Sequence, residues 1–173
     1  MILKQRRKRS QMREVVRDTL ALALVTVCTP LTRYGRHNGL AAYDAWAGHL
    51  LHDHEIDTEC RKPSPEVPFA KHDDAVGTVA ESRWHASVFL ADMVHYAERI
   101  ASHLLAAASC YAREHELMWD VWTCAGGNGR DLEKARRLAD PVVRRRIVPI
   151  IKEARAFDAE AAGHLARALA GWS

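Results

Sequence analysis

The chain is 173 residues long, 48% apolar and 27% charged, a balance that excludes a disordered chain and is enough for one self-sufficient core. A formal net charge of +3 excludes a uniformly basic surface for nucleic acid, although the charge is uneven: KQRRKRSQMR near the start is basic and HDHEIDTE is acidic. The four cysteines, Cys28, Cys60, Cys110 and Cys124, form no C-x-x-C pair and read as reduced, packed thiols of a cytoplasmic protein.

Residues 1–9 read as a basic arm. The apolar run TLALALVTVCTPL imitates a signal peptide, but Glu14 and Asp18 precede it and no small-x-small cleavage site follows. It is also too short to cross a bilayer, so no membrane partner is expected. A first helix is predicted from Ser10 to Cys28, stopped by Pro30. A second starts at Asn38 as N-cap and carries Leu40, Tyr43, Ala47, Leu50 and Leu51 at helical spacing to about His52. Residues 53–77, with Pro63, Pro65 and Pro68, read as a long surface loop wrapping the bundle.

Residues 78–125 contain neither glycine nor proline, which is too long for one ordinary helix. A break near Arg99 to Ser102 gives a third and a fourth helix, the latter closed by the glycines of AGGNGR. A short helix is predicted over Leu132 to Leu138. Asp140 and Pro141 then open a last helix that reaches Ala170, with a kink expected at Pro149. No stretch alternates with period two over a useful length. The expectation is therefore a single all-α domain over 1–173, an irregular antiparallel bundle of about five main helices.

His49, His52 and Asp53 share the outer side of the second helix, while His54 points back to its apolar stripe. The three rings do not converge while the helix persists, so His49, His52 and Asp53 are surface metal candidates at most. Neither H-E-x-x-H nor paired E-x-x-H motifs occur, and no cofactor is predicted.

Three ionisable residues stand on otherwise apolar stripes. Arg83 lies in the series Val79, Arg83, Ala86, Leu90; His115 in Tyr111, His115, Met118, Trp122; Asp158 in Ala154, Asp158, Ala161, Leu165. Buried charges are paired or hydrogen-bonded, and guanidinium with carboxylate is the natural pair, so Arg83 and Asp158 are expected to meet. One reading is a satisfied network that fixes helix register. The other is a pocket for a small polar or anionic ligand: Arg83 anchors it, Asp158 orients Arg83, and His115 and Tyr111 add hydrogen bonds. Tyr43, Trp46, Trp119 and Trp122 would form the walls.

No motif places a serine or cysteine nucleophile beside these residues, and GGNGR lacks the features of a phosphate loop, so no catalytic residue is assigned. Lys4, Arg6, Arg7, Lys8 and Arg9, with Arg144, Arg145 and Arg146, form basic spots without a recognition helix, which does not favour nucleic acid as a partner.

GLAAYDAWAGHL, HDDAVGTVAESRWHASVFL and EHELMWDVWTCAGG give the chain its family likeness. It resembles a group of bacterial all-helical proteins that share a Gly-Leu-x-Ala-Tyr-x-x-Trp element, an Arg followed by Phe-Leu, and a tryptophan-bearing fourth helix. EARAFDAEAAGHL also fits, and the resemblance covers most of the chain beyond Leu20. More distantly it is similar to the helical part of butirosin-type acyltransferases, without their catalytic half. The resemblance implies an all-helical fold and a bacterial cytoplasmic setting, and it implies no activity. The functional expectation is a non-enzymatic, ligand-binding or regulatory bundle. A metal-dependent protein and a self-associating structural protein, for example a homodimer, are the alternatives.

Overall fold

The computed structural model describes residues 9–52 and 66–172, and these fold as six α-helices: α1 (Arg9–Cys28), α2 (Leu40–Leu51), α3 (Glu66–Met93), α4 (Ala101–Ala125), α5 (Asp131–Ala139) and α6 (Pro141–Ala170). The first eight residues of the basic arm, and residues 53–65 of the expected loop, lie outside the described residues. The rest of that loop, 66–77, is helical and opens α3. Pro68 does not prevent this, because it sits in the first turn, where the amide it lacks has no intrahelical acceptor.

Local chemistry sets most of the other boundaries. Asp140 caps α6 by accepting the amide of Val142 at 2.8 Å, and Pro141 occupies the first turn. Pro149 stands inside α6, which runs through it as one helix. Gly126 and Gly127, both at positive φ, turn the chain out of α4, with the Gly127 amide donating to Trp122 O at 2.9 Å. The break between α3 and α4 falls earlier than expected, in two 3₁₀ turns over Val94–Tyr96 and Glu98–Ile100. Asn38 does not cap α2. Its amide group donates to the carbonyls of Thr26 and Thr29 and so closes the end of α1, while Gly39 holds the N-cap position of α2.

α4 is the central helix, packed between α3 and α6, and α1 and α2 lean chiefly on α6. Two apolar cores result. One gathers Tyr43, Ala47, Val76, Ala80, Leu117, Val121, Ile147 and Ile151; the other gathers Leu20, Leu90, Leu104, Ala107, Ala108, Ala161 and Leu165. Along α3 the first core ends at Ala80 and the second resumes at Leu90; along α6 the boundary falls between Ala154 and Ala161. Arg83 and Asp158 stand at that seam.

Arg144 does not join an exposed basic spot. It is 1% exposed, and its guanidinium donates to the carbonyls of Leu50, Leu138 and Ala139. It thereby ties the ends of α2 and α5 to the start of α6.

Candidate functional site

Arg83, on α3, reaches the seam between the two cores and meets residues of three other helices. Its Nε donates to Glu114 Oε2 on α4 at 2.9 Å, and its Nη2 donates to Asp158 Oδ2 on α6 at 2.7 Å. The same Nη2 lies 3.3 Å from the Tyr43 hydroxyl on α2. Tyr43 in turn donates to Glu114 Oε1. The Arg83 guanidinium also sits 5.3 Å from the centre of the Tyr111 ring, within cation–π range.

Glu114 and Asp158 are fully buried, whereas the Arg83 side chain keeps 23% of its surface. One guanidinium therefore faces two buried carboxylates, and the ionised cluster carries one excess negative charge. Burial pushes the Glu114 carboxyl up to about 7 against the pull of Arg83, and Asp158 reinforces the rise. Burial works against the Arg83 cation, but Tyr43, Glu114 and Asp158 outweigh it and hold it firmly protonated. Both tyrosines are pushed up by burial and stay neutral phenols. Asp158 Oδ1 is buried without a hydrogen-bond partner among the described residues, an unusual and costly state for a carboxylate oxygen.

A cavity of about 1070 Å³ opens over this cluster, between α1, α2 and α3. Its walls are largely apolar: Leu20, Ala23 and Val27 from α1, Ala42 and Trp46 from α2, and Ala86, Phe89 and Leu90 from α3. Arg83, Tyr43, Tyr111 and Asp158 supply the polar lining at the cluster, and Lys71, Asp74, His85, Asn38 and three threonines (Thr19, Thr26, Thr78) add polar groups elsewhere on the wall. α1 and α2 rest on α6, and among the described residues this leaves the neighbouring face of α3 open to the cavity.

Of the residues expected in a pocket, Arg83, Asp158, Tyr111, Tyr43 and Trp46 line this cavity. His115, Trp119 and Trp122 lie elsewhere. His115 Nδ1 is 2.8 Å from Ala80 O, and its Nε2 accepts from Trp119 Nε1 at 3.2 Å, which fixes the proton on Nδ1. Its ring centre lies 5.3 Å from that of the half-exposed Trp84. Trp122 packs beside Gly127 and the Lys134 ammonium.

Glu114 is the residue the single-column stripe passed over. It stands next to His115, and Tyr111, Leu117 and Met118, all buried, lie one turn away on either side. A stripe two residues wide passes through Glu114 rather than His115.

Among the described residues no three His, Cys, Asp or Glu side chains converge to hold a metal ion. His49 and His52 lie exposed at the end of α2, and Asp53 falls outside the described residues. His72 is buried against Trp46, whose Nε1 donates to His72 Nδ1 at 3.2 Å; its Nε2 has no partner, and burial lowers its pKa to about 4. Burial, helped by Glu160, pushes the Cys110 thiol up, so it remains a protonated packing group rather than a ready nucleophile.

Among the described residues no helix is long and apolar enough to cross a membrane. No protein family, curated protein or solved structure matches this chain.

Proposed function

We propose that this chain is a small-ligand-binding or regulatory bundle whose site is the cavity between α1, α2 and α3. The observation that carries this reading is the cavity itself: about 1070 Å³ of largely apolar space over a buried cluster of ionisable groups. Ligand sites generally combine an apolar enclosure with a few convergent polar groups. Here the polar part includes the Arg83 guanidinium, 23% exposed, and Asp158, whose Oδ1 has no partner among the described residues. The bacterial cytoplasmic setting implied by the family likeness belongs to the same proposal.

The test combines native mass spectrometry of the untagged protein with titration of N-phenyl-1-naphthylamine, a neutral apolar fluorophore. A copurified mass, or saturable fluorescence at about one probe per chain, is the expected result. Ala86→Phe puts a phenyl ring into the cavity one turn from Arg83, so it should weaken probe binding while leaving the melting temperature unchanged or higher. A bare chain mass together with non-saturable fluorescence, or unaltered binding in A86F, would overturn the reading. Leu22 and Val25, about two-thirds exposed on α1, favour self-association as a second reading, which the same spectra report as a doubled mass.

A further inference from the structure

We infer that the cavity takes an amphiphilic amine, whose ammonium head hydrogen-bonds the buried Asp158 carboxylate while its apolar tail lies in the groove between α1 and α3. The inference rests on the ligand-binding reading and names the ligand's chemical class. Two independent observations meet in it. The first is charge: among the described residues Glu114 and Asp158 share Arg83 as their one ion-pair partner, so the ionised cluster lacks one positive charge. The second is geometry: Asp158 lines the cavity, is fully buried, and its Oδ1 has no hydrogen-bond partner among the described residues.

An ammonium head supplies both the missing charge and the missing donor. An anionic head would instead add to the excess negative charge. Arg83 on its own suggests an anion, but its Nε and Nη2 are already committed to carboxylates. Lys71 and Asp74, the other Lys, Arg, Asp or Glu residues of the lining, cancel in formal charge, so the excess negative charge stays with the cluster; the wall adds Trp46 and Phe89, whose ring faces favour cations as well as apolar chains.

Without a ligand, a proton takes the place of the missing cation. Glu114 holds it, surrounded by Tyr43 of α2, Arg83 of α3 and Asp158 of α6, with Tyr111 and Cys110 on its own helix. Its carboxyl titrates near 7, so an arriving ammonium should expel that proton to the buffer below neutral pH.

The experiment is calorimetric titration of the full chain with n-octylamine, n-octanol and n-octanoate, which share one tail and differ in head charge. The amine should bind about tenfold or more tighter than the alcohol, and the alcohol tighter than the carboxylate. In buffers of different ionisation enthalpy, amine binding should release close to one proton at about pH 6 and none at about pH 8.5. Asp158→Asn should remove the amine's advantage; if that variant does not fold, the wild-type series and its proton release still decide. Equal binding of amine and alcohol, or amine binding without proton release at the lower pH, overturns the inference and leaves the ligand-binding reading standing. Tightest binding by octanoate overturns it in favour of Arg83 as an anion anchor. If none of the three binds, both readings fall.

Discussion

Among the described residues Arg83 is the one ion-pair partner of two buried carboxylates, and this fixes what its removal does. Arg83→Ala leaves Glu114 and Asp158 buried without compensation, which for a broken buried ion pair costs about 3–5 kcal/mol. Urea unfolding should show that loss. Arg83→Met combined with Glu114→Gln and Asp158→Asn removes the charges together and should recover more than half of it, because an uncharged cluster has no desolvation debt. A combined variant no better than Arg83→Ala would show that shape rather than charge holds the seam. All of this cluster except Glu114 was named from the sequence. Arg83 and Asp158 interrupt apolar stripes, and a buried charge predicts its partner. Glu114 was hidden because a helix buries a band wider than one column, and the single column drawn along α4 ran through its neighbour His115.

Two glycines set the contrast at the scale of the helix. Gly39 joins α1 to α2 at φ 51°, and a Cβ there would stand 2.1 Å from Val27 O, a backbone atom that cannot yield without moving α1. Gly39→Ala should cost about 3 kcal/mol or more, the sum of a disfavoured backbone region and that clash. Gly77 sits inside α3 with nothing within 4 Å of its missing Cβ, so Gly77→Ala should stabilise by about 0.5–1 kcal/mol. Thermal melts of the two variants check both signs; two changes of the same sign would sink the argument. The nearby prolines explain an error of reading. Pro63, Pro65 and Pro68 read together as a loop over 53–77, yet α3 begins at Glu66. A proline marks a break only beyond the first turn. The start of α6 was legible because Asp140 and Pro141 act locally. The role of Asn38 was not, because its side chain reaches back to the carbonyls of α1 rather than forward to α2.

For the whole molecule, periodicity was enough to give an all-α class, since it shows which face of each helix is buried. It does not show which helix covers that face, so the lean of α1 and α2 onto α6, and the cavity it leaves beside α3, were not legible. The same packing buries two titrating groups whose effects on global stability oppose each other. Glu114 titrates at about 7 in the fold against 4.5 when free, so the folded chain binds the extra proton between those values. Its contribution is full below pH 4.5 and is lost as pH rises through 7. His72 titrates at about 4 against 6.5, so the unfolded chain binds the extra proton, and its contribution is full above pH 6.5 and lost as pH falls toward 4. Each shift corresponds to about 3 kcal/mol across its window. Over the shared range the two slopes oppose each other, so each group is best exposed by difference. Glu114→Gln should gain on wild type by about 3 kcal/mol between about pH 4.5 and 7, because the glutamine has no proton to lose. His72→Gln keeps an acceptor for Trp46 and should gain by about the same amount as pH falls from about 6.5 to 4. Unfolding free energies measured by urea at several pH values give both differences. A pH-independent gap for either variant would mean that its group titrates alike in the folded and unfolded chains, and for Glu114 it would also remove the proton that amine binding is expected to displace.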